Sequence, residues 1–218
     1  MLKDILRKLS LLGQGQQPLD RTKFNDPLAL SIEWSPASSG GTNFRTHKLV
    51  EIEFSRVQFK AAIGALLFYA VFFFAGLGMG IAFILENKIF EEFSLEAIAP
   101  VLFSLIFVLA GGLMFYFGTA PIVFDKSVGY FWKGRKSPQD SPEPGSIKKI
   151  ARLEDIHALQ LLSEYVSGSK SSYYSYELNL VLKDGRRIAV IDHGNLKRLR
   201  EDAKRLSEFL GKPVWDAT

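Results

Sequence analysis

The stretch AAIGALLFYAVFFFAGLGMGIAFIL, Ala61–Leu85, holds no charged residue, and neither does AIAPVLFSLIFVLAGGLMFYF, Ala97–Phe117. At ~1.5 Å of rise per helical residue, either run is long enough to cross a hydrocarbon core of ~30 Å. The pair predicts a transmembrane helical hairpin, with spans over 61–85 and 97–117, in the middle of a 218-residue chain. The connector 86–96 is acidic, with Glu86, Glu91, Glu92 and Glu96 against Lys88. Arg45, Lys48, Arg56 and Lys60 precede the first span, and Lys126, Lys133, Arg135 and Lys136 follow the second. Lysine and arginine accumulate on the cytoplasmic side of membrane proteins. This asymmetry predicts a multi-pass protein of the cytoplasmic (inner) membrane with both termini cytoplasmic and the connector outside.

Outside the hairpin lie an arm and a domain. Residues 1–25 read as an amphipathic helix and a linker. Leu2, Ile5, Leu6, Leu9 and Leu12 share one helical face, and the Gln- and Gly-rich residues from Gly13 to Asn25 follow. That helix either lies on the membrane or docks on its own domain. Charge and leucine are interleaved there, so no cleavable signal peptide is expected. Residues 26–60 read as a β-hairpin arm. Leu28, Leu30, Ile32 and Trp34 alternate with smaller or polar residues, Ser35–Asn43 has loop composition, and Val50, Ile52 and Phe54 alternate with Glu51 and Glu53. A two-stranded hairpin is marginal by itself, so the arm is expected to pack on the C-terminal domain, 118–218.

In that domain Pro121–Asp125 and Val128–Lys133 read as a strand pair, and Gly134–Ser146 as a proline-rich loop. Ile150–Val166 is strand-like, with Ile156–Leu162 also compatible with a short helix. Tyr176–Leu182 alternates, Asp184-Gly185 supplies a turn, and Arg187–Ile191 returns. The helix 195–210 is capped by Asn195, carries a stripe of Leu196, Leu199, Ala203, Leu206 and Leu210, and is stopped by Gly211 and Pro213. The expected fold class is α+β: a two-helix transmembrane hairpin plus a small antiparallel β-barrel or sandwich capped by a C-terminal α-helix.

Phe124–Trp132 directly after the second span, Leu153–Gln160, Tyr176–Gly185 and the closing segment Leu196–Trp215 resemble the bacterial pleckstrin-homology-like (PH-like) membrane proteins. The likeness covers roughly residues 119–218 plus the hairpin. It implies a transmembrane hairpin followed by a compact cytoplasmic PH-like domain, and it brings no catalytic motif. The 60 residues before the first span, with two candidate strands, depart from the simplest version of that layout.

Several chemistries are excluded or disfavoured. Without cysteine there are no disulfides, thiolate metal sites or thiol catalysis. His47, His157 and His193 have no metal-ligand spacing, Gly168–Ser171 lacks the upstream glycine of a phosphate loop, and no GxSxG elbow exists. The spans carry no Asp, Glu, Lys, Arg or His, the groups on which proton relays and ion paths depend. Neither a cofactor, a metal nor an enzymatic activity is expected, nor is nucleic acid as a partner.

Two surfaces remain as candidates. Gly76, Gly78, Gly80 and Ala82 form overlapping small-xxx-small pairs suited to helix association, either within the hairpin or with a partner or a second copy of the chain in a homo-oligomer. Lys133, Arg135, Lys136, Lys148, Lys149 and Arg152 are cations near the second span, available to anionic headgroups or a partner, or serving only to orient the hairpin. The expected function is a membrane-anchored, non-enzymatic module binding a protein partner, anionic lipid headgroups or both. The alternative is an accessory or assembly subunit of a membrane transport or envelope complex, associating through the glycine face of the first span.

Overall fold

A computed structural model describes residues 19–86, 95–140, 149–168 and 171–218. The expected N-terminal helix, most of the linker after it, most of the acidic connector, Lys148 and Lys170 lie outside those residues. After a 3₁₀ turn at Arg21–Phe24, the elements are α1 (Pro27–Ser31), β1 (His47–Glu53), β2 (Arg56–Ala61), α2 (Ile63–Glu86), α3 (Leu95–Gly118), β3 (Ile122–Asp125), β4 (Tyr130–Lys133) and β5 (Ile150–Arg152). A 3₁₀ turn over Leu153–Asp155 leads to β6 (Ile156–Ser167), β7 (Ser172–Leu182), β8 (Arg187–His193), α4 (Leu196–Leu210) and β9 (Val214–Asp216). The protein is α+β, with two long apolar helices.

The strands form two separate sheets, not a closed barrel: β1-β2-β3-β4-β5 and β8-β7-β6-β9. The first is antiparallel throughout, and its centre explains where the helices sit. β2 pairs with β3, Phe59 opposite Ile122 and Arg56 opposite Asp125, although α2 and α3 lie between them in sequence. The apolar hairpin is therefore an insertion between two neighbouring strands. Its helices leave and re-enter at one end of the sheet, marked by Ala61, Ile122 and Lys133. Arg56, Asp125, Tyr130 and Arg152 mark the far end.

One core fills the space between the sheets and α4, with Phe59, Phe124 and Phe131 meeting Leu159, Leu161, Leu178, Leu180, Leu199 and Leu206. Full burial of such a side chain contributes about 1.5–3 kcal/mol, so this cluster dominates the stability of the domain. α4 also guards the free edge of β1. Arg205 donates to the Leu49 carbonyl at 3.3 Å and pairs with Glu51 at 2.7 Å, occupying groups that an open edge would offer to another chain.

The arm differs from its expected form. Residues 28–34 are not a strand: Asp26 accepts from the Leu28 N–H at 2.8 Å, Pro27 takes the first helical position, and α1 forms instead. Ala29 and Ile32 then pack with Ala158, Val181 and Trp215, flanked by Phe24, Leu28 and Trp34. The second strand of the arm is Arg56–Ala61, reached through a turn at Phe54 and Ser55. Val57 and Phe59 are its core-facing residues. Ile156–Leu162 is strand rather than helix, paired along its length with β7.

α2 and α3 pack on each other through glycines. A Cβ on Gly76 would lie 2.7 Å from the Val108 nitrogen and the Phe107 Cβ, and one on Gly80 would lie 2.7 Å from Ser104 Oγ. Ser104 is buried and its hydroxyl is satisfied by the Val101 carbonyl of its own helix at 2.7 Å. Elsewhere the helices are open: only 17% and 11% of their apolar windows are buried, and Ile63, Leu67, Val71, Phe74, Ile106, Leu109 and Leu113 are exposed.

Candidate interaction site at the root of the helices

The cations singled out in the sequence do not form one group. β4 and β5 run antiparallel, so Lys149 lies beside Lys133 at the helix end while Arg152 lies opposite Tyr130 at the far end, where it pairs with exposed Glu154 at 2.8 Å. Arg135 is committed to α3. It donates to the Tyr116 carbonyl at 2.8 Å and Thr119 Oγ1 at 2.9 Å, with its guanidinium 4.9 Å from the Tyr116 ring centroid. A cation there satisfies orphan carbonyls and meets the negative end of the helix dipole. Lys136 is exposed beside it, and Lys60, paired across from Lys48, is exposed at the foot of α2.

Lys133 is the correction in this set. Its ammonium turns inward and donates to the Val190 carbonyl on β8 at 3.0 Å, tying the edge of one sheet to the other. Burial, with Lys149 adding to it, pulls its pKa down to about 8. Half-buried, it ties the two sheets together.

Two histidines sit near it. Burial first, and Lys133 second, hold His47 at about 4. His193 is fully buried, with Nδ1 accepting from the Asn195 N–H at 3.2 Å, and burial followed by Arg45 and His47 holds it at about 4. Both are neutral at pH 7. For His193 the unfolded chain takes up its proton near pH 6.5 and the folded one only near 4, so its contribution to stability is intact above 6.5 and lost as pH falls toward 4. At pH 5.5 the loss from this residue is on the order of 1 kcal/mol. Denaturant titration of the purified full-length protein at pH 7.0 and 5.5 measures it. His193→Phe is expected to reduce the difference by about half, the remainder belonging to His47, and an unchanged pH response in that variant contradicts the assignment.

Sequence reasoning missed the strap. Residues 20–44 cross the outer face of β8-β7-β6-β9, held by side chains from strands more than a hundred positions away. Glu177 is 2% exposed and accepts from the Ala37 and Ser38 N–H groups at 2.8 and 2.9 Å. Glu164 accepts from Gly40 and Gly41, and Tyr173 donates to the Gly41 carbonyl at 2.8 Å. Arg187 reaches Glu33 and the Ser35 carbonyl, and Gln160 donates to the Glu33 carbonyl. Phe24 stacks on Trp34 at 4.8 Å, and both meet Trp215. β7 is thus covered on both faces, which places Glu177 and Asn179 under the strap rather than in water. A cleft of about 720 Å³ opens between the strap and the Asp184–Arg187 turn, but Arg186 and Arg187 in its wall are already paired with Asp184 and Glu33.

The glycine face divides in two. Gly76 and Gly80 are spent inside the hairpin, whereas Gly78 and Ala82 are exposed, with nothing within 4 Å of a Cβ on Gly78. Among the described residues no cluster of three metal-ligating side chains occurs. No protein-family profile, curated protein or solved structure matches the chain.

Proposed function

We propose that the chain is an integral protein of the cytoplasmic membrane. α2 and α3 cross the bilayer with both termini cytoplasmic, and the two sheets with α4 form a PH-like module working at the membrane face. The module is non-enzymatic and binds anionic headgroups, a protein partner, or both. One observation carries the reading: two 24-residue helices leave their apolar side chains exposed and rise from one end of a well-buried polar domain. Exposed Lys60, Arg135 and Lys136 surround that root, where cations meet an anionic surface. Two sheets around one core, closed by a C-terminal helix, support the PH-like description.

Each lysine near an anionic surface contributes ~1 kcal/mol, about a fivefold change in affinity. Lys136→Gln and Lys149→Gln are each expected to weaken binding of anionic phospholipid to the full-length protein in detergent about fivefold, leaving zwitterionic lipid unaffected. Lys204→Gln, on an exposed part of α4, serves as control. Equal affinity in all variants removes the headgroup and leaves a protein partner.

A second reading has its own support. Gly78 and Ala82 present a small-residue stripe outward on α2, which suits an accessory subunit of a membrane complex associating through that helix. Loss of a co-purifying partner in Gly78→Leu, with the lysine variants unaffected, would favour it.

A further inference from the structure

The β6–β7 hairpin outruns its sheet. β9 pairs with β6 only at Leu159–Leu161, and β8 leaves β7 at Tyr176, opposite His193. Beyond that point four cross-strand pairs, from Glu164–Ser175 to Ser167–Ser172, continue as a two-stranded ribbon closed by the Gly168 N–H to Ser171 carbonyl bond. A ribbon of two strands does not hold itself in water. One face is held by the strap, through Glu164 to Gly40 and Gly41 and through Tyr173 to Gly41. Side chains alternate along a strand, so the cross-strand pair Tyr165–Tyr174 faces the other way. The two rings lie 5.3 Å apart, and the residues are 56% and 47% exposed.

Contacts fix which end of the domain the ribbon extends from. Lys183 donates its N–H to the Asp155 carbonyl, and Leu153 to that of Gly129, so the Leu182 end of β7 is the end far from the helices. The opposite end of β7–β8 meets the root. Thr46 donates to the Asp192 carbonyl, Gly194 to that of Phe44, and the Ala62 N–H at the start of α2 to that of Thr46. Phe44 then touches the Phe68 ring of α2 at 5.8 Å, past the first turn of that helix. The strap residues gripping the ribbon, Gly40 and Gly41, lie four and three positions before Phe44 in the chain. The ribbon therefore projects from the helix side of the domain.

We propose that the β6–β7 ribbon is an interfacial foot, its Tyr165–Tyr174 pair seated in the headgroup layer of the bilayer that α2 and α3 cross. The occupant is a lipid interface because tyrosine presents an apolar ring and a polar hydroxyl, the combination enriched where hydrocarbon meets water. The ribbon also extends from the helix side of the domain, where Phe44 meets α2. The foot gives the domain a second point of contact besides the helices, which fixes its tilt on the membrane. This rests on the reading of α2 and α3 as spans.

The chain has no cysteine, so single nitroxide labels are clean reporters. Tyr165→Cys, Tyr174→Cys, Phe54→Cys at the far end and Leu77→Cys in α2 are labelled in the full-length protein in lipid nanodiscs. Each label's accessibility to oxygen and to a water-soluble nickel chelate is measured. The expected order is Leu77 deep in the bilayer, Tyr165 and Tyr174 at headgroup depth with chelate accessibility several-fold below that of Phe54, and Phe54 aqueous. If Leu77 is deep while Tyr165 and Tyr174 match Phe54, the foot is wrong and the spans stand. Labels at Tyr165 and Tyr174 shielded from both oxygen and chelate indicate a protein contact and overturn the foot as well. A water-accessible Leu77 overturns the spans and the foot together.

Discussion

Gly111→Leu is expected to separate α2 from α3, while Gly78→Leu leaves them together. A Cβ on Gly111 would lie 2.5 Å from the Phe73 nitrogen and 2.7 Å from its Cα. Those are backbone atoms, so relief requires the whole of α2 to move. The same addition at Gly78 meets nothing within 4 Å. Inserting volume into a packed interior costs about 1–3 kcal/mol where side chains can shift, and more is expected where only backbone is available. In the bilayer proposed for these helices, lipid offers no hydrophobic drive to restore the contact, because close packing is itself what holds such helices together. Tyr69 and Phe115, whose ring centroids are 5.7 Å apart, provide the readout. A short bifunctional thiol crosslink between Tyr69→Cys and Phe115→Cys is expected to form in the parent and in Gly78→Leu and to be lost in Gly111→Leu. Retention of that crosslink in Gly111→Leu would show that the hairpin packs differently.

The contrast also shows which parts of the chain its sequence discloses. The long helices are legible because length and absence of charge are one-dimensional properties, and α4 because its cap, stripe and stop lie close together, between Asn195 and Pro213. Which glycines pack inward is not legible, since Gly76 and Gly78 have the same composition around them and differ only in the direction of the other helix. α1 carries a local signal, Asp26 before Pro27, yet the alternation of Leu28, Leu30, Ile32 and Trp34 points to a strand. The cap and the burial of Ala29 and Ile32 against Trp215 decide it. β2 is hidden by its position. Arg56 and Lys60 read as a basic flank, while Val57 and Phe59 between them fill the core. The strap is the least legible of all. Glu177 and Asn179 alternate with leucines as solvent-facing residues do, and only a segment 140 positions upstream covers them. Lys133 misleads in the same way, because a lysine beside a span reads as an anchor until the β8 carbonyl it serves is in view.

Arg45→Leu is expected to be strongly destabilising at neutral pH and to reverse part of the domain's loss of stability in acid. Asp202, on α4, is 3% exposed, and its Oδ2 lies 2.8 Å from an Arg45 nitrogen. The carboxylate also accepts from the backbone of Leu49, so the pair joins the root of the domain to α4 and to the edge of β1. Burial pushes the Asp202 carboxyl above the usual carboxylate range even with Arg45 beside it to oppose the shift. Removing the guanidinium leaves a buried charge with no countercharge in direct contact, a loss of about 3–5 kcal/mol. The folded-state pKa of Asp202 then rises further, and the folded chain binds more protons than the unfolded one over the interval above the ordinary carboxylate value. In that interval stability increases as pH falls, opposite in sign to the histidine contribution. His193 adds to the reversal, because Arg45 is one of the charges holding its pKa down. Denaturant titrations of Arg45→Leu at pH 7.0 and 5.0 should find the variant closer to the parent at the lower pH. Asp202→Leu in the same chain should recover much of the loss, since an apolar pair of similar volume leaves no charge to desolvate. A variant equally weakened at both pH values, or a double variant no better than Arg45→Leu alone, would show that Arg45 acts through packing and its bond to the His47 carbonyl, not through the charge on Asp202.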